Sequence, residues 1–249
     1  MLKSGVCSVS FRELSAEDVI RITKEAGLSA IEWGSDVHAP ADDTERLRAI
    51  AKMQKEAGLE CSSYGTYFRL GTDSCDELPK YIEAAKILGT DVLRLWCGKK
   101  NFDDMSDEEK DFIISESKKA AAIAERGGVT LCMECHRNTF TNSIEGALTL
   151  MESVNSPAFR MYWQPSTTAE HSVNIEYAKK ISQYTVNLHV FYYEDRVARP
   201  FGEGIQVWKE YLGCFSQDMY LLLEFMPDKN PASLGREAAS LIKLLKDSK

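Results

Sequence analysis

The chain lacks an excess of basic residues. Its 249 residues include 30 Lys and Arg against 38 Asp and Glu, so the formal net charge is −8. A negative chain is repelled by polyanionic nucleic acid and by anionic lipid, because long-range electrostatics act on the summed charge. We therefore expect neither of these partners, and a small neutral substrate fits the composition better.

Long apolar runs are also missing. The most apolar stretch, Tyr220 to Phe225, is interrupted by Glu224 and is far shorter than the roughly 20 residues of a membrane-spanning helix. The first residues have no apolar signal-peptide core, and the seven cysteines are odd in number and lack disulfide-like spacing. These absences predict a cytoplasmic protein with reduced thiols and no membrane segment.

One cysteine motif invites a cofactor interpretation. Cys132, Cys135 and His136 match the haem-attachment pattern C-x-x-C-H. Positions 132 and 135 are an odd number of residues apart, so on a strand their side chains face opposite sides. One haem cannot easily bond both, and we interpret the two residues as ordinary buried cysteines.

Short apolar or β-branched runs recur about every thirty residues, and each is followed by a segment with helical periodicity. This alternation predicts a parallel sheet covered by helices. Helix-ending glycines at positions 27, 58 and 89 are 31 residues apart, and eight such units account for the whole length. The expected strands are Gly5–Phe11, Ala30–Gly34, Glu60–Gly65, Val92–Cys97, Thr130–His136, Arg160–Gln164, Val186–Phe191 and Tyr220–Phe225.

This pattern predicts that residues 1–249 form one α/β domain, a single (β/α)8 TIM barrel. The length is close to the roughly 250 residues typical of that fold. An open doubly wound sheet is the alternative. The first strand-to-helix turn, however, lacks the G-x-G-x-x-G pattern that lets a backbone approach a pyrophosphate, so the closed barrel is favoured.

Four polar residues close successive predicted strands, namely Glu134, Gln164, His189 and Glu224. Active sites of such barrels lie at the C-terminal strand ends, so these side chains should converge. Their oxygens and single imidazole suit Mn²⁺, Co²⁺ or Mg²⁺ better than metals that prefer thiolates. Burying both glutamates is costly, and the sequence shows no obvious Lys or Arg on adjacent strand ends to offset them. We therefore predict one divalent ion.

The four histidines all lie at or just beyond predicted strand ends, a placement that favours functional roles. They are His38, His136, His171 and His189.

The metal set resembles that of the xylose-isomerase-like superfamily of sugar isomerases and epimerases, above all its ketose 3-epimerase branch. The order Glu134, Gln164, His189, Glu224 carries the resemblance, together with the neighbouring motifs Ile31–Trp33, Ser63–Tyr67, Leu95–Gly98, Glu134–His136 and Phe201–Gly204. In that branch the sixth-strand ligand is usually Asp, followed three residues later by His. This chain has Gln164 and Thr167 instead, so the site carries about two negative charges rather than three.

The resemblance implies a divalent-metal-dependent isomerase of carbohydrate metabolism, either a sugar epimerase or an aldose–ketose isomerase. The ion, Mn, Co, Mg or Zn, would activate the C–H bond next to a ketose carbonyl, and an enediolate would form. Glu134 and Glu224 would be catalytic as well as metal ligands, one removing the proton and the other returning it.

The same resemblance implies a sugar or polyol substrate and leaves a homo-oligomer open. The aromatic residues at strand ends, Trp33, Tyr64, Tyr67, Trp96 and Trp163, would wall the pocket. Arg196 or Arg199 would hold a distal hydroxyl, phosphate or carboxylate. The expected substrate-binding residues are His38, Tyr64, Trp96, His136, Arg196 and Arg199.

Three other functions are compatible with the same fold. An inosose-type dehydratase would use the same enolisation and then lose water. A non-catalytic sugar-binding descendant is made credible by Gln164, although pure binding needs no pair of opposed carboxylates. An abasic-site endonuclease fits poorly, because four histidines and a charge of −8 do not suit a three-metal phosphodiesterase.

Overall fold

Eight parallel strands close into a barrel in the computed structural model, which describes residues 1–247. The order around the barrel is β1, β10, β7, β6, β5, β4, β3 and β2, and β2 pairs with β1 to close it. The barrel strands are β1 (Leu2–Cys7), β2 (Ala30–Gly34), β3 (Glu60–Leu70), β4 (Val92–Cys97), β5 (Thr130–Glu134), β6 (Phe159–Trp163), β7 (Thr185–Val190) and β10 (Met219–Leu223). The prediction of a single (β/α)8 TIM barrel is confirmed.

Eight helices surround the strands. They are α1 (Ala16–Glu25), α2 (Thr44–Glu56), α3 (Leu78–Leu88), α4 (Asp107–Gly127), α5 (Ile144–Val154), α6 (His171–Ile181), α7 (Ile205–Leu212) and α8 (Leu234–Asp247). The repeated glycines 27, 58 and 89 have φ values of 74°, 77° and 88°, the left-handed conformation that ends a helix. In the part of the chain that the structure describes, no helix combines the length and apolarity that crossing a bilayer requires.

Most apolar side chains pack between the strands and the helices, while a smaller cluster fills the inside of the barrel. The inner cluster contains Cys7, Val9, Cys132, Tyr162 and Leu222. Cys135 belongs to the outer layer, so Cys132 and Cys135 lie on opposite sides of the sheet, as their spacing predicts. All seven cysteines are free.

Several strands end at residues other than those predicted. The first strand ends at Cys7, because the next four residues form a 3₁₀ turn in which the Ser8 hydroxyl accepts a hydrogen bond from the Gly34 amide. The fifth ends at Glu134 rather than at His136, and the last at Leu223, one residue before Glu224.

A short hairpin after β7 was not predicted. Its strands, β8 (Tyr192–Glu194) and β9 (Val197–Arg199), form a separate two-stranded sheet after the barrel strand. The connection to α7 is therefore folded, and it places Tyr193 at the edge of the barrel mouth.

Candidate active site

Four side chains from successive strands meet at the C-terminal mouth of the barrel. Nδ1 of His189 lies 3.2 Å from Gln164 Oε1, 3.4 Å from Glu224 Oε2 and 3.7 Å from Glu134 Oε1. The Gln164 amide nitrogen donates a hydrogen bond to Glu134 Oε1 at 2.9 Å. This hydrogen bond orients the side-chain carbonyl oxygen of Gln164 towards His189. The structure therefore brings together the complete set expected to bind a metal.

The opposite ring nitrogen of His189 faces Glu32 on β2, with 3.3 Å from Nε2 to Glu32 Oε1. Glu32 accepts from Nε2, and Nδ1 donates to Gln164 Oε1, because an amide oxygen only accepts, so both ring nitrogens carry protons in the metal-free protein. Glu32 is itself fixed, because it accepts a hydrogen bond from the Ser63 hydroxyl at 2.7 Å. His189 is thus oriented so that a cation among the three oxygens would replace the Nδ1 proton, and the imidazole would then be a neutral ligand.

Arg94 on β4 lies directly beneath the glutamates and is 2% exposed. Its Nη1 is 3.0 Å from Glu134 Oε2, and its Nε is 3.4 Å from Glu32 Oε1. The sequence shows no obvious Lys or Arg at adjacent strand ends to offset Glu134 and Glu224, and the expectation that Glu134 lacks such a counter-charge is wrong, because Arg94 within β4 pairs with it. Arg94 faces the barrel interior because it alternates with Leu93 and Leu95, which pack outward against the helices.

These charges set the ionisation of the site. Burial opposes ionisation of Glu134, but the attraction of Arg94 and the hydrogen bond and charge of His189 together outweigh burial and lower the pKa of Glu134 to about 2. His189 and Arg94 likewise hold the pKa of Glu32 far below its usual value against burial. Burial raises the pKa of Glu224 to about 7, since Glu224 lies farther from compensating charge and beside Glu134. Burial alone would lower the pKa of His189, but the carboxylates of Glu224 and Glu32 raise it well above its usual value in the metal-free protein.

The raised pKa of Glu224 predicts a pH-dependent stability. The folded, metal-free protein retains this proton to a higher pH than the unfolded chain, so Glu224 costs stability as pH rises from about 4.5 to about 7. Glu224→Gln, which is always neutral, should therefore melt at a higher temperature than the unaltered protein at pH 8. The advantage should shrink as the pH falls towards 4.5. Thermal melts in a chelator across this range measure it, and an advantage that is independent of pH would contradict the assignment.

The donor set fits a divalent cation. Glu134, His189 and Glu224 are buried, and one ligand atom from each lies within 4.8 Å of the others. With neutral histidine, the ionised Glu32, Glu134 and Glu224 and the cation Arg94 leave two negative charges in the buried site. A divalent ion balances them, and oxygen donors with one imidazole suit Mn²⁺, Co²⁺, Mg²⁺ or Zn²⁺.

Cys7, Glu32 and His189 form a second close group below the first. Burial raises the pKa of the Cys7 thiol to about 12, so it is neutral at ordinary pH. Because Glu32 is already paired with Arg94 and Ser63, this group is saturated by protein contacts. Its role is to support His189 from beneath.

A cavity of about 500 Å³ opens above the four converging side chains. Trp96 lines it and donates from its indole nitrogen to Glu134 Oε2 at 2.6 Å. His136 also lines it, with its ring 5.6 Å from that of Trp96. Tyr67 lies on the other side of the Trp96 ring, edge-on at 5.2 Å. This volume suits a small molecule of the size of a sugar.

Two expected substrate-binding residues lie away from this cavity. His38 is fully buried behind β2, where its Nε2 lies 3.0 Å from the Leu14 carbonyl oxygen, and Tyr64 is buried with its hydroxyl donating to the Ala39 carbonyl at 2.6 Å. Neither lines the cavity. His38 follows the end of β2 and Tyr64 lies within β3, and both side chains pack into the layer between the strands and the helices.

The two expected arginines lie on the hairpin. Arg196 lines a neighbouring depression of about 320 Å³, and Arg199 pairs loosely with Glu194 at 3.8 Å. His171, at the start of α6, contacts Tyr211 and Glu210 beside that same depression. These residues are therefore peripheral to the cavity above the four converging side chains.

Trp33 and Trp163 are core residues and do not line the cavity. Both are fully buried; the indole of Trp33 donates to Gln54 Oε1, and Trp163 packs on Tyr211. Sequence reasoning also missed three residues of the site, Glu32, Arg94 and Arg137. For the first two, inward-facing charged residues in otherwise apolar strands were the available signal.

The sequence matches one family model and resembles several known proteins. A family model described as a xylose isomerase-like TIM barrel matches residues 20–247. A 3-dehydroshikimate dehydratase of Bacillus anthracis is 23% identical over 173 residues, which are 64% of this chain and 60% of that protein. The L-ribulose-5-phosphate 3-epimerase UlaE of Salmonella typhi is 24% identical over 249 residues, covering 94% of this chain and 84% of the epimerase.

Solved structures share the fold. The crystal structure of the probable 3-DHS dehydratase AsbF, involved in petrobactin synthesis in Bacillus anthracis, superposes with a TM-score of 0.81. The two chains are covered completely and are 17% identical.

Proposed function

Because the chain belongs to the xylose isomerase-like TIM barrel family, we propose that it is a metal-dependent enzyme that moves a proton next to the carbonyl group of a ketose or related ketone. One observation carries this proposal. Two buried carboxylates, Glu134 and Glu224, flank the ring nitrogen of His189 at the mouth of the barrel, with a cavity of sugar size above them.

Glu134, Gln164, His189 and Glu224 would hold the ion. When bound, it would polarise the substrate carbonyl and stabilise the negative charge that develops as the neighbouring C–H bond loses its proton. Gln164 contributes an amide oxygen without charge, so the ligand set carries two negative charges, and Arg94 further reduces the negative field at Glu134. We therefore expect weaker metal binding than a site with three carboxylates would give.

The two glutamates are not equivalent. Glu134 accepts hydrogen bonds from Gln164 at one oxygen and from Trp96 at the other, where Arg94 also approaches. Among residues 1–247 the Glu224 carboxylate has a single polar contact, with His189 Nδ1 at 3.4 Å, and it borders the cavity. We propose that Glu224 transfers the proton at the substrate carbon, because its oxygens are free to take it. Glu134 would serve as a fixed ligand and as the acid–base group on the other face.

Return of the proton to the opposite face inverts the centre, which is epimerisation, and its return to the adjacent carbon is aldose–ketose isomerisation. We favour epimerisation, because Glu134 on β5 and Glu224 after β10 lie on strands separated by β6 and β7 and reach the cavity from different sides. The resemblance to an L-ribulose-5-phosphate 3-epimerase supports the same choice. The substrate would be a small sugar or polyol derivative, handled in the cytoplasm.

Dehydration is the second candidate. The resemblance to a 3-dehydroshikimate dehydratase favours it. Glu224, once it had taken the substrate proton, could deliver that proton to a departing hydroxyl. The two reactions begin with the same proton abstraction. Epimerisation keeps every hydroxyl group on the carbon skeleton, whereas dehydration removes one of them as water.

Metal-dependent exchange of the substrate proton tests the proposal. The purified protein should take up about one divalent ion per chain, and Mn²⁺, Co²⁺, Mg²⁺ and Zn²⁺ are to be tried in turn. In deuterated water it should then exchange the proton next to the carbonyl of at least one ketone in a panel of ketoses, ketose phosphates and cyclic hydroxyketones. Proton NMR follows exchange, inversion and water loss in one sample, and a chelator should abolish all three. Metal uptake without exchange of any of these ketones would favour a non-catalytic binding protein.

A further inference from the structure

We propose that the cavity recognises an anionic group, a carboxylate or a phosphate, on its substrate, and that Arg137 and His136 at the end of β5 bind that group. This inference rests on the proposed function, since it names the class of ketone that the site accepts. It differs from the expectation of a neutral substrate, which used the net charge of the whole chain. The charge around the cavity is distributed differently.

Three arginines line the cavity, and two of them are already neutralised. Arg12 pairs with Asp36 at 2.6 Å and also contacts the Tyr67 hydroxyl. Arg94 pairs with Glu134 and more distantly with Glu32. Arg137 lines the same cavity, and in residues 1–247 it makes no ion pair.

With a divalent ion bound, the site would carry one uncompensated positive charge. Four carboxylates, on Glu32, Asp36, Glu134 and Glu224, face the three guanidiniums named above. A divalent ion at the proposed ligands would therefore make the site positive by one unit when the histidines are neutral. An anionic substituent restores the balance, and Arg137 is the only one of the three arginines without a carboxylate partner in the described part of the chain.

His136 offers a second contact beside Arg137. Its Nδ1 lies 2.8 Å from the Arg137 carbonyl oxygen and must donate to it, because a carbonyl oxygen only accepts. Its Nε2 makes no hydrogen bond within the described residues, while the ring packs against Trp96. The imidazole is thus held in place with one nitrogen available to a ligand.

The loop that carries both residues is tied to the barrel. The Thr141 hydroxyl donates to the Glu134 carbonyl at 2.6 Å, and the Thr139 hydroxyl donates to the His136 carbonyl at 2.5 Å. Tyr177 on α6 then donates to the Thr141 carbonyl, also at 2.5 Å. A loop braced in this way gives up little conformational freedom when a ligand binds, which favours specific recognition over general attraction.

Carboxylate and phosphate share the chemistry that a guanidinium recognises, two or more oxygens that accept parallel hydrogen bonds. The test therefore uses matched pairs of ketones that differ in one anionic group. The carboxylate pair is 5-keto-D-gluconate and L-sorbose, and the phosphate pair is D-ribulose 5-phosphate and D-ribulose. Titration calorimetry on the Mn²⁺-supplemented protein measures the affinity of each.

We expect at least one anionic probe to bind about tenfold or more tightly than its neutral partner. Arg137→Gln should weaken binding of that probe by about tenfold to a hundredfold and should change binding of neutral ketoses less than about twofold, as expected for loss of a charge-assisted hydrogen bond. Arg126→Gln is the matched control, because Arg126 is exposed in the last turn of α4, at the other end of the barrel. It should alter neither affinity.

Four results would overturn the inference: no detectable binding of either anionic probe, equal binding of anionic and neutral partners, an equal loss of both in Arg137→Gln, or the same loss in Arg126→Gln. Deuterium exchange on the same samples separates this inference from the proposed function. If an anionic probe binds in a way that depends on Arg137 but no ketone exchanges its proton, the inference is supported and the proposed enzymatic activity is contradicted. Exchange confined to neutral ketoses does the reverse.

Discussion

Glu224→Gln is expected to lower turnover by about two to four orders of magnitude while most of the bound metal is retained. Glutamine keeps an oxygen donor of the same reach but cannot take up a proton, so the substitution separates the two roles of the side chain. The loss should appear in kcat for the ketone that the unaltered protein exchanges fastest, and metal content should be measured on the same preparation. Near-normal turnover in this variant would show that Glu224 does not transfer the substrate proton.

Glu134→Gln is the matched comparison, because it makes the same change at the other carboxylate. Both oxygens of Glu134 accept hydrogen bonds, so an amide at this position sets one NH₂ group against Gln164, Trp96 or Arg94. We expect a weaker hold on the metal and a turnover loss of similar size. If Glu224 abstracts the proton, the Glu134 variant should still exchange the substrate proton with solvent, slowly and without inverting the centre.

The convergence of the four expected ligands could be predicted from the sequence, because barrel topology places consecutive strand ends side by side. Each of the four residues is the polar side chain that ends an apolar run: Glu134, Gln164, His189 and Glu224. Because the parallel strands close into a barrel, their C-terminal ends all lie at the same mouth. The structure adds their mutual geometry. Nδ1 of His189 faces three oxygens, which follows from Glu32 holding the opposite nitrogen and is not visible in the spacing.

Arg94 was not predicted, for a reason that concerns the position along the strand. Sequence reasoning looked for basic residues at strand ends, whereas Arg94 is the third residue of β4 and reaches upward to Glu134. Long side chains bring their charge well away from their own backbone level. His38 and Tyr64 show the converse error. His38 follows the end of β2 and Tyr64 lies next to the predicted end of the third strand, yet both side chains pack into the outer layer.

Arg94→Met is expected to destabilise the metal-free protein by about 3 to 5 kcal/mol at pH 7, because it leaves Glu32 and Glu134 buried without their shared cation. Methionine retains much of the apolar stem, so the loss reports the charge rather than the packing. Arg94 is one of the groups that hold the pKa of each glutamate low, so the pKa values of both should rise in the variant. The stability deficit should therefore shrink as pH falls towards 4 and the glutamates take up protons.

Arg69→Met supplies the control. Arg69 on β3 stacks on the Trp96 ring at 4.4 Å, as Arg94 does at 5.2 Å, but its guanidinium donates only to the Gly98 carbonyl and meets no carboxylate among the described residues. Its loss should cost about 1 kcal/mol, the size of a cation–π contact, and should not depend on pH between 4 and 7. Urea unfolding of both variants at several pH values, with and without Mn²⁺, makes the comparison. Added metal should restore part of the stability lost in Arg94→Met, because a divalent ion at Glu134 replaces the missing cation there, and it should leave the deficit of Arg69→Met unchanged. Equal, pH-independent losses in the two variants would mean that Arg94 acts through packing alone and that the negative charge of the site is balanced elsewhere.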